Sequence, residues 1–293
     1  MKVLIVGSRG MLGTDLMREF AAHGETAGLD LPELDITAPG RCRAAVEDMR
    51  PDVVVNAAAL TDVDYCESHA EEAFLVNARG VANLAEAVGA AGGLLVHYST
   101  DYVFDGRKKE PYIEEDEPNP LSVYGKSKLE GERLARSLCA NHLILRTSWL
   151  FGANGRNFIR TIVAAARNGL PLRVVNDQRG SPTYSRDLAA CTRRLVERGC
   201  RGIYHATNSG SCTWYELAVR AVAWAGLEHT SVTPVTTAEF PRPAPRPANS
   251  TLANARLERE GMEPMRAWDA AAAEYVAACL RGGERTPDSA PLR

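Results

Sequence analysis

Between Ser99 and Lys128 stand side chains whose types and spacing suit proton delivery to a carbonyl oxygen. Thr100 follows an apolar run, and Tyr124 and Lys128 lie four positions apart in Tyr124-Gly125-Lys126-Ser127-Lys128. On a helix, residues i and i+4 share a face, so phenol and ammonium reach one bound molecule. A phenol with an ordinary pKa of about 10 is a poor acid–base group at neutral pH, but a nearby ammonium favours the phenolate. The expectation is that Lys128 pulls the Tyr124 pKa down and that Tyr124 protonates an alkoxide as it forms.

These groups need a sheet to hold them, and the chain supplies one strand at a time. Residues 2–6 are a continuous Val/Leu/Ile run of the buried parallel type, followed by Gly7-Ser8-Arg9-Gly10-Met11-Leu12-Gly13 and a helical pattern over 14–23. Strand, glycines and helix in that order predict a dinucleotide-binding turn. Its glycines allow a tight bend and close approach to a pyrophosphate, with Arg9, Met11 and Leu12 in the loop and free N–H groups at the helix start. A second strand over 25–29 ends at Asp30, where a carboxylate accepts from ribose hydroxyls and favours NADH; Arg9 suits a 2′-phosphate and favours NADPH. Cofactor preference is therefore open. Asp35-Ile36 is expected to close over the adenine.

Further along, a helix over 41–50 precedes a strand over 52–56, whose carboxyl end runs into Ala57-Ala58-Ala59. Small side chains there, together with Thr61, predict contact with a flat cofactor, since open α/β sheets bind ligands beyond their strand ends. A helical pattern over 71–91 leads to the strand that delivers Ser99, Thr100 and Asp101.

At 293 residues and 45% hydrophobic content, the chain can bury a core for one large or two interleaved domains. A net charge of -3 with mixed signs gives no nucleic-acid footprint, and no apolar run is long enough for a bilayer. Neither nucleic acid nor membrane is an expected partner. The opening Met1-Lys2-Val3-Leu4-Ile5-Val6-Gly7 reads as a strand rather than a secretory leader, so a cytoplasmic location is expected. Seven cysteines without Cys-x-x-Cys spacing read as reduced thiols, not as a zinc site.

The glycine loop at 7–13, Asn56-Ala57-Ala58-Ala59, Ser99-Thr100-Asp101-Tyr102-Val103-Phe104 and Tyr124-x-x-x-Lys128 together resemble the extended short-chain dehydrogenase/reductases. More narrowly, His97-Tyr98-Ser99-Thr100-Asp101, Arg146-Thr147-Ser148-Trp149, Asn176-Asp177-Gln178-Arg179-Gly180-Ser181-Pro182-Thr183 and Arg246-Pro247-Ala248-Asn249-Ser250 resemble the dTDP-4-dehydrorhamnose reductase family, over residues 2–268. The resemblance implies reduction of the C4 ketone of dTDP-4-dehydro-6-deoxy-L-mannose to dTDP-L-rhamnose by NADPH or NADH. It implies Tyr124 as proton donor, Lys128 on the nicotinamide ribose, and Thr100 on the ketone oxygen. Contacts to the sugar are implied for Asp101, Tyr102 and Trp149.

The fold so implied is α/β, a Rossmann-type doubly wound parallel sheet with a smaller sugar-nucleotide-binding lobe. Residues 1–150 would form the dinucleotide-binding domain, completed by parts of 170–210; 151–280 would mainly form the lobe, and 281–293 a disordered tail. Asn157 opens a helix expected to meet the diphosphate. Pro241-Arg242-Pro243-Ala244-Pro245-Arg246-Pro247 is read as a stiff wall of the nucleotide pocket, with Arg246 facing the diphosphate. Some family members bind magnesium at a dimer contact. Asp15 is the one candidate here and Ser185 offers no second carboxylate, so no metal ligands are assigned and monomer or homodimer stays open.

Two further readings remain. One is a reductase of another dTDP-4-keto-deoxysugar from secondary metabolism; the other is a non-catalytic NADP-binding subunit resembling the beta subunit of methionine adenosyltransferase, against which the full Thr100, Tyr124 and Lys128 set argues. Related 4,6-dehydratases carry an Asp-Glu pair after the Thr, whereas Asp101 is followed here by Tyr102, which disfavours dehydration. A 4-epimerase shares the Tyr and Lys, and only the stretches after residue 140 argue against it.

Overall fold

Valine, leucine and isoleucine runs set the middle of the molecule, because parallel strands are buried on both faces and β-branched side chains suit a pleated surface. The computed structural model describes residues 1–279. Six parallel strands, β1 (Lys2–Val6), β2 (Glu25–Leu29), β3 (Val53–Asn56), β4 (Leu94–Thr100), β5 (His142–Thr147) and β6 (Gly202–His205), lie in the order β2-β1-β3-β4-β5-β6. All seven residues of β4 are buried.

Successive side chains leave a strand on opposite faces, and the core divides accordingly. Val3, Ile5, Val53, Val55 and Val96 pack against α1 (Met11–Ala21) on one side, while Leu4, Val6, Val54 and Leu95 pack on the other. The second face is covered by α2 (Pro39–Met49), α3 (Val81–Ala90) and α4 (Val123–Leu138). Beyond β5 come α5 (Phe158–Arg167), α6 (Ser185–Glu197), α7 (Trp214–Trp224) and α8 (Trp268–Cys279). Helix α6 returns to pack on α1, whereas α5, α7 and α8 form cores of their own around Ile159, Val163, Leu217 and Tyr275. Thr213 and Glu216 form the capping box that starts α7, as their spacing predicts.

The sheet order reverses between β1 and β3, so a crevice opens beyond their carboxyl ends. Val6 and Asn56 are register partners, and the segments after them leave the sheet side by side. Gly7 turns there with φ 77°, and a Cβ on it would lie 2.7 Å from the Ala58 nitrogen. A residue other than glycine would push the two loops apart.

Two expected elements differ. Helix α1 begins at Met11 rather than at residue 14, because Gly10 is its extended N-cap. The pattern over 71–91 is not one helix: a π-helical turn, Leu75–Gly80, separates the helix Ala70–Phe74 from α3. Buried Asn77 holds that turn in place, its Oδ1 accepting from Leu60 N at 2.9 Å and its Nδ2 donating to Ser127 Oγ at 3.1 Å. Of the 170–210 stretch, β6 joins the main sheet and α6 packs on α1, while Leu172–Val175 pairs with Val232–Val235. The tail expected over 281–293 lies outside the described residues.

Candidate active site

Helix α4 carries the Tyr and Lys, and it is tied down at several points. Ser122 caps it by accepting from Gly125 N at 3.1 Å, and Glu67 accepts from Val123 N at 2.9 Å, placing a carboxylate at the positive end of the helix. Gly125 lies under the backbone of Tyr102: a Cβ there would come within 2.2 Å of the Tyr102 carbonyl. Further along, Glu132 takes Arg146 of β5 in a bidentate pair at 2.9 and 2.8 Å, both side chains fully buried. The helix is therefore fixed against the strand ends that carry Thr100 and Thr147.

A cleft of about 460 Å³ opens at the switch point, and its lining brings together Gly10, Met11, Leu12, Gly13, Ala57, Ala58, Ala59, Thr61, Thr100, Asp101, Tyr102, Tyr124, Lys128 and Trp149. Tyr124 and Thr100 both line this cleft, and Thr100 Oγ1 donates to Asp101 Oδ1 at 3.0 Å. The Tyr102 ring stands edge-on to Tyr124, 5.6 Å away. Trp149 adopts φ 47°, which is strained for a bulky residue, and its indole stacks on Trp214 at 3.5 Å. Gly180 makes room for that indole, since a Cβ there would lie 2.3 Å from the ring.

Burial governs the charges. It holds the Tyr124 phenol well above its ordinary value, and it pushes the Lys128 ammonium down to about 8. The expectation that Lys128 lowers the Tyr124 pKa therefore fails in this geometry: Nζ donates to the Tyr98 carbonyl at 2.7 Å, and desolvation of the phenolate dominates. At neutral pH Tyr124 is a phenol, which is the proton-donating form. Burial likewise raises the Asp101 carboxyl to about 6.

The lining fits a polar, anionic ligand. Ser99 Oγ, Asp101 Oδ2 and Thr147 Oγ1 are buried without a hydrogen-bond partner, and all three belong to residues facing the cleft. Buried polar atoms are normally paired, so these mark where a ligand's polar groups fit. Gly10 caps α1 without a side-chain hydrogen bond, no acidic residue stands in the first turn, and Lys128 and Arg156 are the cations of the lining. That wall suits a diphosphate. Ser99, Thr147, Arg156 and Trp214 were missed by sequence reasoning; the two hydroxyls could have been found as strand-end neighbours of Thr100.

Other predicted residues lie elsewhere. Ile36 is buried in the core against Gly80, and Asp35 Oδ1 is held by Thr37 N and Oγ1 at 2.9 and 2.7 Å, so neither lines the cleft. Asn157 is likewise outside it. Its Nδ2 donates to Gly152 O and Tyr275 Oη, both at 3.0 Å, and its Oδ1 caps α5 by accepting from Arg160 N, so its side chain is structural. Asp30 accepts from Arg9 N and Leu31 N, both at 2.8 Å, while the Arg9 guanidinium pairs with Glu33 at 2.5 Å. Residues 9 and 30 are thus bound into one loop beside the β2 end. Asp15 accepts from Ser185, and no cluster of three or more His, Cys, Asp or Glu able to hold a metal occurs among the described residues.

A second cavity, about 450 Å³, adjoins the cleft and shares Tyr102 and Trp214 with it. Phe158, Leu172, Val174 and Phe240 make it apolar, and Arg246 stands on its wall beside Arg173 and Arg242. Sequence reasoning placed Arg246 and the proline-rich segment that carries Arg242 at a nucleotide pocket, and Tyr102 at the sugar; Arg173, Phe158 and Phe240 were not foreseen.

A doubly wound sheet, a glycine-lined switch point and a Thr, Tyr and Lys gathered beneath it define the short-chain dehydrogenase/reductase class. Within that class the chain belongs to the family described as RmlD substrate binding domain, which matches residues 1–281. It is 42% identical over 280 residues to the dTDP-4-dehydrorhamnose reductase of Burkholderia thailandensis, covering 90% of this chain and 94% of that one. It is also 42% identical over 280 residues to a probable dTDP-4,6-dihydroxy-2-methyloxan-3-one 4-ketoreductase of Streptomyces antibioticus, covering 94% of each. The crystal structure of dTDP-4-dehydrorhamnose reductase from Bacillus anthracis in complex with NADP is similar at a TM-score of 0.92 and 36% identity, covering 94% of this chain and 99% of that one. No helix among the described residues is long and apolar enough to cross a membrane.

Proposed function

We propose that this protein reduces the C4 ketone of dTDP-4-dehydro-6-deoxy-L-mannose to dTDP-L-rhamnose, using NADPH or NADH. The observation that carries the reading is the buried Thr100, Tyr124 and Lys128 gathered in one lining, beneath a glycine-lined crevice. Gly7, Gly10, Met11, Leu12, Gly13, Ala57, Ala58, Ala59 and Thr61 hold the cofactor, which when bound supplies the hydride. Lys128 takes its ribose. Thr100 donates to the ketone oxygen, where charge grows as reduction proceeds, so that its hydrogen bond is worth most in the transition state. Tyr124 then gives its proton to that oxygen. Asp101 Oδ2 accepts from a sugar hydroxyl, Trp149 and Tyr102 wall the ring, and Arg246 meets the diphosphate.

Residues 1–150 then carry the cofactor, and segments after 151 carry most of the nucleotide. Seven unpaired cysteines support a reducing, cytoplasmic setting. The second reading, another dTDP-4-keto-deoxysugar, is favoured by the likeness to the Streptomyces antibioticus ketoreductase.

Steady-state oxidation of NADPH and NADH with a panel of dTDP-4-keto sugars tests both. The highest kcat/KM is expected with the rhamnose precursor, and a higher value with another sugar establishes the second reading. Tight cofactor binding without turnover on any sugar supports the binding-subunit alternative and ends the enzymatic one.

A further inference from the structure

We propose that Asp64 is a positioning residue for the substrate's diphosphate, fixing Arg242 and Arg246 at the seam between the catalytic cleft and the adjoining pocket. The inference rests on reading that pocket as the nucleotide site. Asp64 lies in the short helix Val63–Ser68, three residues after Thr61 and next to Val63, both of which line the cleft. Its Oδ2 accepts from Arg242 Nε at 2.9 Å and Nη2 at 2.6 Å, and its Oδ1 accepts from Arg246 Nη1 at 2.8 Å and Ala244 N at 3.2 Å. One carboxylate from the cofactor half thus holds two guanidinium groups and the backbone of the proline-rich segment of the other half.

Exposed ion pairs contribute little, but this is a network around an Asp64 side chain only 17% exposed, and it includes a backbone N–H. Burial alone would raise the Asp64 pKa; the hydrogen bonds from Arg246, Ala244 and Arg242 outweigh it and hold the carboxyl below its ordinary value. Asp64 is therefore an anion at neutral pH, matched to both cations.

The position fits a diphosphate. A base in the apolar pocket and a sugar beside Tyr124 must be joined across Tyr102, which lines both cavities. The pocket's charged lining residues are Arg173, Arg242 and Arg246, with no carboxylate among them. Arg246 lines the pocket together with Tyr102, whose ring meets Tyr124. Guanidinium groups recognise phosphates through planar paired donors, and holding them in place beforehand removes part of the ordering cost of binding. Asp64 supplies that hold without being a ligand itself.

The test is dTDP binding to the full-length protein, measured by calorimetry on wild type and Asp64→Asn, with NADPH affinity and melting followed alongside. Loss of a charge-assisted hydrogen bond predicts a dTDP Kd raised about tenfold. NADPH affinity should stay within about twofold, and KM for the sugar nucleotide should rise while kcat at saturation is kept. In an Arg242→Gln, Arg246→Gln background, Asp64→Asn should change dTDP binding less than about twofold, because it acts through those arginines. An unchanged or tighter dTDP Kd overturns the proposal, as does a full tenfold effect in the arginine-free background or a parallel loss of NADPH binding. Failure of the wild type itself to bind dTDP instead removes the reading of the pocket.

Discussion

The cofactor cleft and the adjoining pocket solve recognition in different ways. The cleft is lined by glycines at 10 and 13, small alanines at 57–59 and strand-end hydroxyls, with Tyr124 and Lys128, the proposed catalytic pair, one helical turn apart on α4. The pocket is made of side chains, and they come from segments far apart in the chain, from Tyr102 through Phe158, Leu172, Trp214 and Arg246. A backbone cradle has to be rigid and buried, because an open glycine turn gains its shape from what packs behind it. A side-chain pocket depends instead on a few ion pairs across its seam. Substitutions in the first region should therefore damage stability, chemistry and cofactor binding together, while those in the second should alter nucleotide affinity alone.

The largest effect is expected at the buried pair behind the cleft. Glu132→Ala strands Arg146 in the interior without its carboxylate, which should cost about 3–5 kcal/mol and be read as a lowered melting temperature. Unchanged melting would mean that α4 is held by other contacts. Lys128→Met comes next. Turnover should fall roughly 10²-fold or more, with weaker NADPH binding in fluorescence titration, and equal loss is not expected for dTDP. In the pocket, Trp214→Ala removes the partner stacked on Trp149 and should raise KM for the sugar nucleotide about tenfold, leaving NADPH affinity intact. A fall in NADPH affinity of similar size would erase the distinction between the two regions.

The smallest effect separates them by pH. Lys128 loses its proton as pH rises through about 8, so kcat/KM should decline there, whereas dTDP affinity, proposed to depend on arginines, should stay level. For stability the sign is opposite. Lys128 has a folded pKa below that of the unfolded chain, so between about 8 and the ordinary lysine value of roughly 10.4 the unfolded state binds more protons. This group therefore makes stability rise with pH across that window.

The same contrast explains what the sequence reveals. The crevice is legible because its parts are local: a Val/Leu/Ile run, glycines and a helix lie within β1 and α1, and Tyr124 and Lys128 share one turn of α4. The π-helical turn is not legible, since the hydrogen bonds that hold Asn77 come from Leu60 and Ser127, 17 and 50 positions away. Nor is the direction of the Lys128 side chain, which is set by the Tyr98 carbonyl. Asn157 has the pattern of a helix start, and only the fold shows its amide enclosed by Gly152 and Tyr275. The Asp64 network joins residues 178 and 182 positions apart, beyond the reach of any local pattern.

Removal of one oxygen atom tests the central claim most directly. Tyr124→Phe keeps the ring and its packing but has no proton to give. Single-turnover reduction of the 4-keto sugar nucleotide by bound NADPH should slow by about 10²- to 10⁴-fold, with the NADPH Kd within about twofold of wild type. Reduction at the parental rate would show that the acid lies elsewhere and contradict the account.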